Sequence, residues 1–116
     1  MLVCLAEDSF VRSFGDIGYI VSQLTKQDRI YDASGKIFLQ QLSRKPKSTD
    51  DITDSLMEIF TSADREELSA DFAEFVNDLE DDGFTVSGMT EDEITAKMPR
   101  FSYSQEDRKT APAHRF

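Results

Sequence analysis

The clearest hydrophobic pattern in the chain lies between Asp64 and Gly83. Leu68, Phe72, Phe75, Val76 and Leu79 recur at i, i+4, i+7, i+8 and i+11, a continuous stripe on a helix. Asp64 can cap its start, and Glu67 stands three residues on, as a capping box requires. Gly83 can take the left-handed conformation that ends a helix. The opposite face is acidic, with Glu66, Glu67, Asp71, Glu74, Asp78, Glu80, Asp81 and Asp82 opposed only by Arg65. Such a helix must lay its stripe on something apolar, either core alone or core and a partner.

The spacing before it changes period. Phe10–Phe14 reads as a short strand, Gly15–Asp16 as a turn, and Ile17–Leu24 as a second strand rich in β-branched and aromatic residues. After the polar Thr25–Gln27, Asp28–Asp32 (DRIYD) is a brief third strand, completing an antiparallel meander that needs helices against it. Asp32 can cap a helix whose apolar face is Ile37, Phe38, Leu39 and Leu42, weakened at Gly35 and ended near Pro46. Ser48 or Thr49 caps a second helix with stripe Ile52, Leu56, Ile59 and Phe60, and Asp50 and Asp51 in its favourable first turn. Phe84–Val86 can add a final strand, and Thr90 followed by Glu93 starts a short helix over about Glu91–Lys97, stopped by Pro99. Residues 1–9 read as a mixed lead, packed as an extended segment or left loose, and residues 102–116 as a polar tail or linker. Strands grouped before helices indicate an α+β fold: a three-stranded antiparallel sheet followed by three helices, the content of a winged helix-turn-helix.

Length and charge narrow the function. The chain has 116 residues, room for one domain, and a net charge of −10. That balance disfavours nucleic acid and anionic membrane surfaces, whose phosphates demand Lys and Arg. The long helix would present acids where a recognition helix needs basic or amide side chains. No stretch approaches a membrane span, and MLVCLAEDS lacks the pattern of a signal peptide. One cysteine, Cys4, allows no internal disulfide and fits a reducing cytoplasm. The catalytic search is negative. The single His114 and Cys4 stand at opposite ends of the chain, Gly15 and Gly18 fit tight turns better than a phosphate loop, and DLEDDGFTVSG lacks a calcium-loop pattern. No metal and no cofactor is expected.

What remains is a sheet edge. In a meander the third strand leaves N–H and C=O groups unpaired. Asp28, Arg29 and Asp32 can be the charges that protect it from aggregation, or the edge can accept a peptide as a fourth strand. Ile30 and Tyr31 are adjacent, so one of them faces outward. Part of the long helix's wide stripe could wall a groove beside that edge. Three classes stand open on the residues: a peptide-binding module, a scaffold that docks an enzyme through its acidic face, and a winged-helix DNA binder.

From Phe10 to Gly88 the chain resembles the PqqD-like domains, also called RiPP recognition elements. The pieces that carry the resemblance are RIYDASGKIFLQQLSR, STDDITDSLMEIF and EELSADFAEFVNDLEDDGF, the last placing Asp71, Phe72, Phe75, Val76, Leu79, Gly83 and Phe84 in the family's spacing. These are patterns and not catalytic signatures. The resemblance implies a winged helix-turn-helix-like fold, without catalysis, that binds the leader of a ribosomally made precursor peptide. The leader would add to the third strand at Asp28, Arg29, Ile30 and Tyr31 and lie against Leu68, Asp71, Phe72 and Phe75. The partner enzyme would be a radical SAM maturase, in cis or in trans. The stretch VRSFGDIGYI resembles the N-terminal part of radical SAM/SPASM maturases, but no CxxxCxxC is present to hold a cluster. Read this way, 10–88 is the peptide-binding domain, 1–9 its lead, 89–101 a short helical extension and 102–116 a tail.

Overall fold

The computed structural model describes residues 1–98. The strands are β1 (Leu2–Leu5), β2 (Ser9–Phe14), β3 (Ile17–Ser22), β4 (Gln27–Tyr31), β5 (Lys47–Ser48) and β6 (Thr85–Gly88). The helices are α1 (Ala33–Gln40), α2 (Thr49–Ile59), α3 (Arg65–Asp81) and α4 (Glu91–Lys97). The expected α+β class is present: an antiparallel meander, β2-β3-β4, followed by three helices.

The residues expected to cap helices do so. The Asp32 carboxylate accepts from Gly35 N at 3.1 Å, and Ser48 Oγ from Asp50 N at 3.1 Å. The Asp64 carboxylate accepts from Glu67 N at 3.1 Å, and Thr90 Oγ1 from Glu93 N at 3.2 Å. Each satisfies a backbone donor that helix geometry leaves free. Gly83 follows α3 with φ of 81°, and Gly15 turns the β2–β3 hairpin with φ of 59°. Gly18 has a different use from the tight turn expected of it. It sits within β3, where an added Cβ would lie 2.6 Å from Lys36 Cα, so α1 rests directly on the strand there.

A second sheet, order β5-β1-β6, goes beyond the sequence expectation. The segment read as a mixed lead contains its central strand. Four consecutive apolar residues, Leu2–Leu5, show no alternation because both faces of β1 are covered. Val3 and Leu5 join the main core with Leu56, Phe72, Leu79 and Phe84. Cys4 turns the other way, to Val86 of β6 and Ile94 of α4. Arg44 fastens the turn into β2: its guanidinium donates to the carbonyls of Ala6, Glu7 and Ser9 at 2.9, 2.6 and 2.8 Å and lies over the Phe10 ring. Pro99, the expected stop after α4, and the expected tail over 102–116, with Pro112 and His114, lie outside the described residues.

Candidate peptide groove

Because β4 pairs only with β3, it is one of the two edges of the meander, β2 being the other. Strand alternation divides its side chains. Asp28 and Ile30 point away from the helices: the Asp28 carboxylate accepts from the Tyr19 hydroxyl at 2.9 Å, and Ile30 is 69% exposed. Arg29 and Tyr31 point toward α3. Arg29 forms an ion pair with Asp82 at the end of α3, donates to the Tyr31 hydroxyl at 3.4 Å, and stands over the Phe84 ring at 5.6 Å. Tyr31 packs on Phe75, ring centroids 4.9 Å apart. Gly35 makes this possible, since a Cβ there would run into Tyr31 Cβ. The residue that weakens α1 by propensity is therefore the one its packing needs.

The aromatic contacts continue inward. Phe75 meets Phe38 of α1 edge-on at 5.2 Å, and Phe38 meets Phe60, just past α2, at 6.1 Å. Tyr31, Phe75, Phe38 and Phe60 form an unbroken line from the sheet edge into a cavity of about 500 Å³. The cavity floor is Phe38, Phe60, Leu68 and Phe75, with Ser34 and Ala63 at its sides. Its rim on α3 is Asp71, Glu74 and Asp78. No β4 residue lines the cavity itself; the Tyr31–Phe75 contact connects the two.

Of the four α3 residues expected on the wall, Leu68, Asp71 and Phe75 line the cavity. Phe72 does not: it is 1% exposed and lies in the core against Phe38. Helical rotation explains the difference. Asp71, Phe75 and Asp78 make one row, while Phe72, Val76 and Leu79 make the next, about 100° further round and facing inward. Sequence reasoning missed Phe38, Phe60, Glu74 and Asp78 as groove residues. Phe38 and Phe60 belong to the apolar stripes expected of α1 and α2, and the two acids to the acidic face expected of α3. The row spacing of Asp71 and Phe75 was the available signal.

Elsewhere, chemistry is sparse. Among the described residues, no three His, Cys, Asp or Glu side chains gather as a metal would require. Cys4 is fully buried, and desolvation pushes its thiol up from the ordinary range, with Arg44 opposing in part. That is the reverse of what a nucleophile needs. Among the described residues, no helix is long and apolar enough to cross a membrane.

A strand edge set beside an α-helical wall and an aromatic-floored cavity is geometry that can accept an added peptide strand. Residues 30–84, from the end of β4 through α3 to Phe84, match the model of the family "Coenzyme PQQ synthesis protein D (PqqD)". The solved structure described as TbiB1 in complex with the TbiA(beta) leader peptide superposes with a TM-score of 0.65 at 17% identity. It covers 75% of this chain and 99% of that one, a likeness of fold. No curated protein matches the chain. The segment is thus PqqD-like in sequence pattern and in fold, as the resemblance implied.

Proposed function

We propose that the domain binds the leader region of a ribosomally synthesised precursor peptide and presents it to a modifying enzyme. The leader adds as a strand to β4 and sends alternate side chains toward the α3 wall. The observation that carries this reading is the continuous aromatic line from Tyr31 at the β4 edge to Phe38 and Phe60 in the cavity. The PqqD-like segment and a structural neighbour solved with a leader peptide support it. Edge hydrogen bonds give affinity with little demand on sequence, and apolar pockets give selectivity. The contacting residues are Arg29, Ile30 and Tyr31 on the edge, with Asp28 beside them, and Leu68, Asp71 and Phe75 on the wall. Phe72 supports that wall from behind.

The role is recognition, not catalysis, in the cytoplasm, with a radical SAM maturase as the enzyme served. A second reading, a docking scaffold, draws on the exposed outer face of the meander, where Phe14 and Ile30 are 67% and 69% exposed. One titration separates the two. A fluorescent leader from the precursor encoded beside this gene should bind. Ser34→Trp, which fills the cavity mouth from an exposed site, should weaken it at least tenfold with the melting temperature kept. Ile30→Pro should also lose binding. Binding unchanged in both folded variants eliminates the groove as the leader site.

A further inference from the structure

Resting on the leader-binding reading, we infer that the groove selects a leader segment carrying a Lys or Arg within a few residues of an apolar anchor. The floor is apolar, but its rim is not neutral. Asp71, Glu74 and Asp78 stand along one side of the cavity, and no lysine or arginine lines it. Among the described residues, the ion pairs are Arg29–Asp82 and Arg65–Asp54, so none of the three rim acids has a cationic partner. The net charge of −10 adds to the same field. An anionic leader entering here would meet like charges beside a low-dielectric floor, which costs affinity and slows encounter. A cationic side chain would meet complementary charge from three solvent-exposed carboxylates beside an apolar floor.

Geometry fixes the spacing. Asp71 to Asp78 spans about 10 Å of helix at ~1.5 Å per residue. An extended peptide covers that length in about three residues at ~3.3 Å each, with inward-facing side chains about 6.6 Å apart. One inward position can place an aromatic or branched aliphatic side chain on Phe38, Phe60, Leu68 and Phe75. A position two to four residues away then reaches the acidic row. The rim thereby acts as a specificity element: the floor accepts many apolar anchors, and the acids choose among the peptides that carry them.

Selection of a displayed library of random dodecapeptides on the full chain tests this without knowing the leader. Enriched peptides should pair an apolar anchor with Lys or Arg two to four positions away. Their affinity should fall at least tenfold in the Asp71→Asn, Glu74→Gln, Asp78→Asn triple variant, and should fall with added salt in the parent protein. Ser34→Trp, or Ile30→Pro as a second block, should remove binding altogether. Peptides that these blocks remove but that show no Lys or Arg enrichment, or that bind the triple variant equally, overturn the inference and leave the leader-binding reading standing. Failure to enrich any peptide that either folded block removes overturns both.

Discussion

The two sheets have the same number of strands and the same antiparallel pairing, yet they are built for different ends. In β5-β1-β6 every residue of β6 is buried, and β1 is covered on one face by the main core and on the other by α4. Its polar groups are tied down: Thr85 Oγ1 donates to the Val76 carbonyl and Ser87 Oγ to Glu80. In β2-β3-β4 only one face is covered, by α1 through Gly18 and Ile20. The other face exposes Phe14, Ile17 and Ile30, and the β4 edge stays free. Burying both faces of a sheet spends all its surface on stability. Leaving a face and an edge open beside an aromatic wall keeps surface for recognition, at the risk of aggregation that the flanking charges of β4 reduce.

The contrast predicts opposite responses to the same substitution. Cys4→Asp places an unpaired carboxylate in the closed sheet, among Val86 and Ile94, and should cost about 3–5 kcal/mol. A domain of this size has only about 5–15 kcal/mol to lose. Ile30→Asp puts the same group on the open face at a 69% exposed position, where a change within about 1 kcal/mol is expected. Urea denaturation of both variants measures the difference. Equal losses would mean that the two sheets are not distinct in burial.

Gly35→Ala probes where the open sheet meets its helix. Propensity alone makes it stabilising by about 1 kcal/mol in α1. The new Cβ collides with Tyr31, which is pinned against Phe75, and such overpacking costs about 1–3 kcal/mol. The collision should win, giving a net loss near 1 kcal/mol and weaker leader binding, because Tyr31 joins the edge to the cavity. A chemical-denaturation midpoint at or above the parent value would show that Tyr31 is free to move.

How much of this was legible follows the range of each interaction. The caps at Asp32, Ser48, Asp64 and Thr90 bond within three residues, so local sequence sufficed for them. The meander joins neighbours through short turns and was equally visible. The closed sheet gathers residues 2–5, 47–48 and 85–88, and β5 is two residues long. No local pattern announces a pairing of that span. The site divides likewise. The β4 edge follows from strand order, but whether Phe72 or Phe75 faces the groove depends on how α3 is rotated against α1 and α2. A stripe says that a helix is buried on one side and leaves open which of its margins stays uncovered. Phe38 and Phe60 went unnoticed as cavity residues for that reason.

The smallest expected effect lies on the open face. The Tyr19 hydroxyl donates to Asp28 Oδ2 across β3 and β4. That hydrogen bond chiefly, with slight desolvation and the Asp28 charge, raises the phenol above its ordinary value. The bond needs the protonated phenol, so its contribution is fully present below the unfolded phenol value of about 10 and is lost as pH rises through the higher folded value. In the closed sheet such a bond would matter more; here both groups face water, and the stability change should be hard to detect in a melt. A titration of phenolate absorbance resolves it. Subtracting the Tyr19→Phe curve isolates Tyr19, which should ionise later than an ordinary tyrosine and return toward that value in Asp28→Asn. An isolated Tyr19 curve at the ordinary phenol position, unmoved by Asp28→Asn, would show that the outer face is not ordered by this pair and that only the edge and groove of the open sheet are organised.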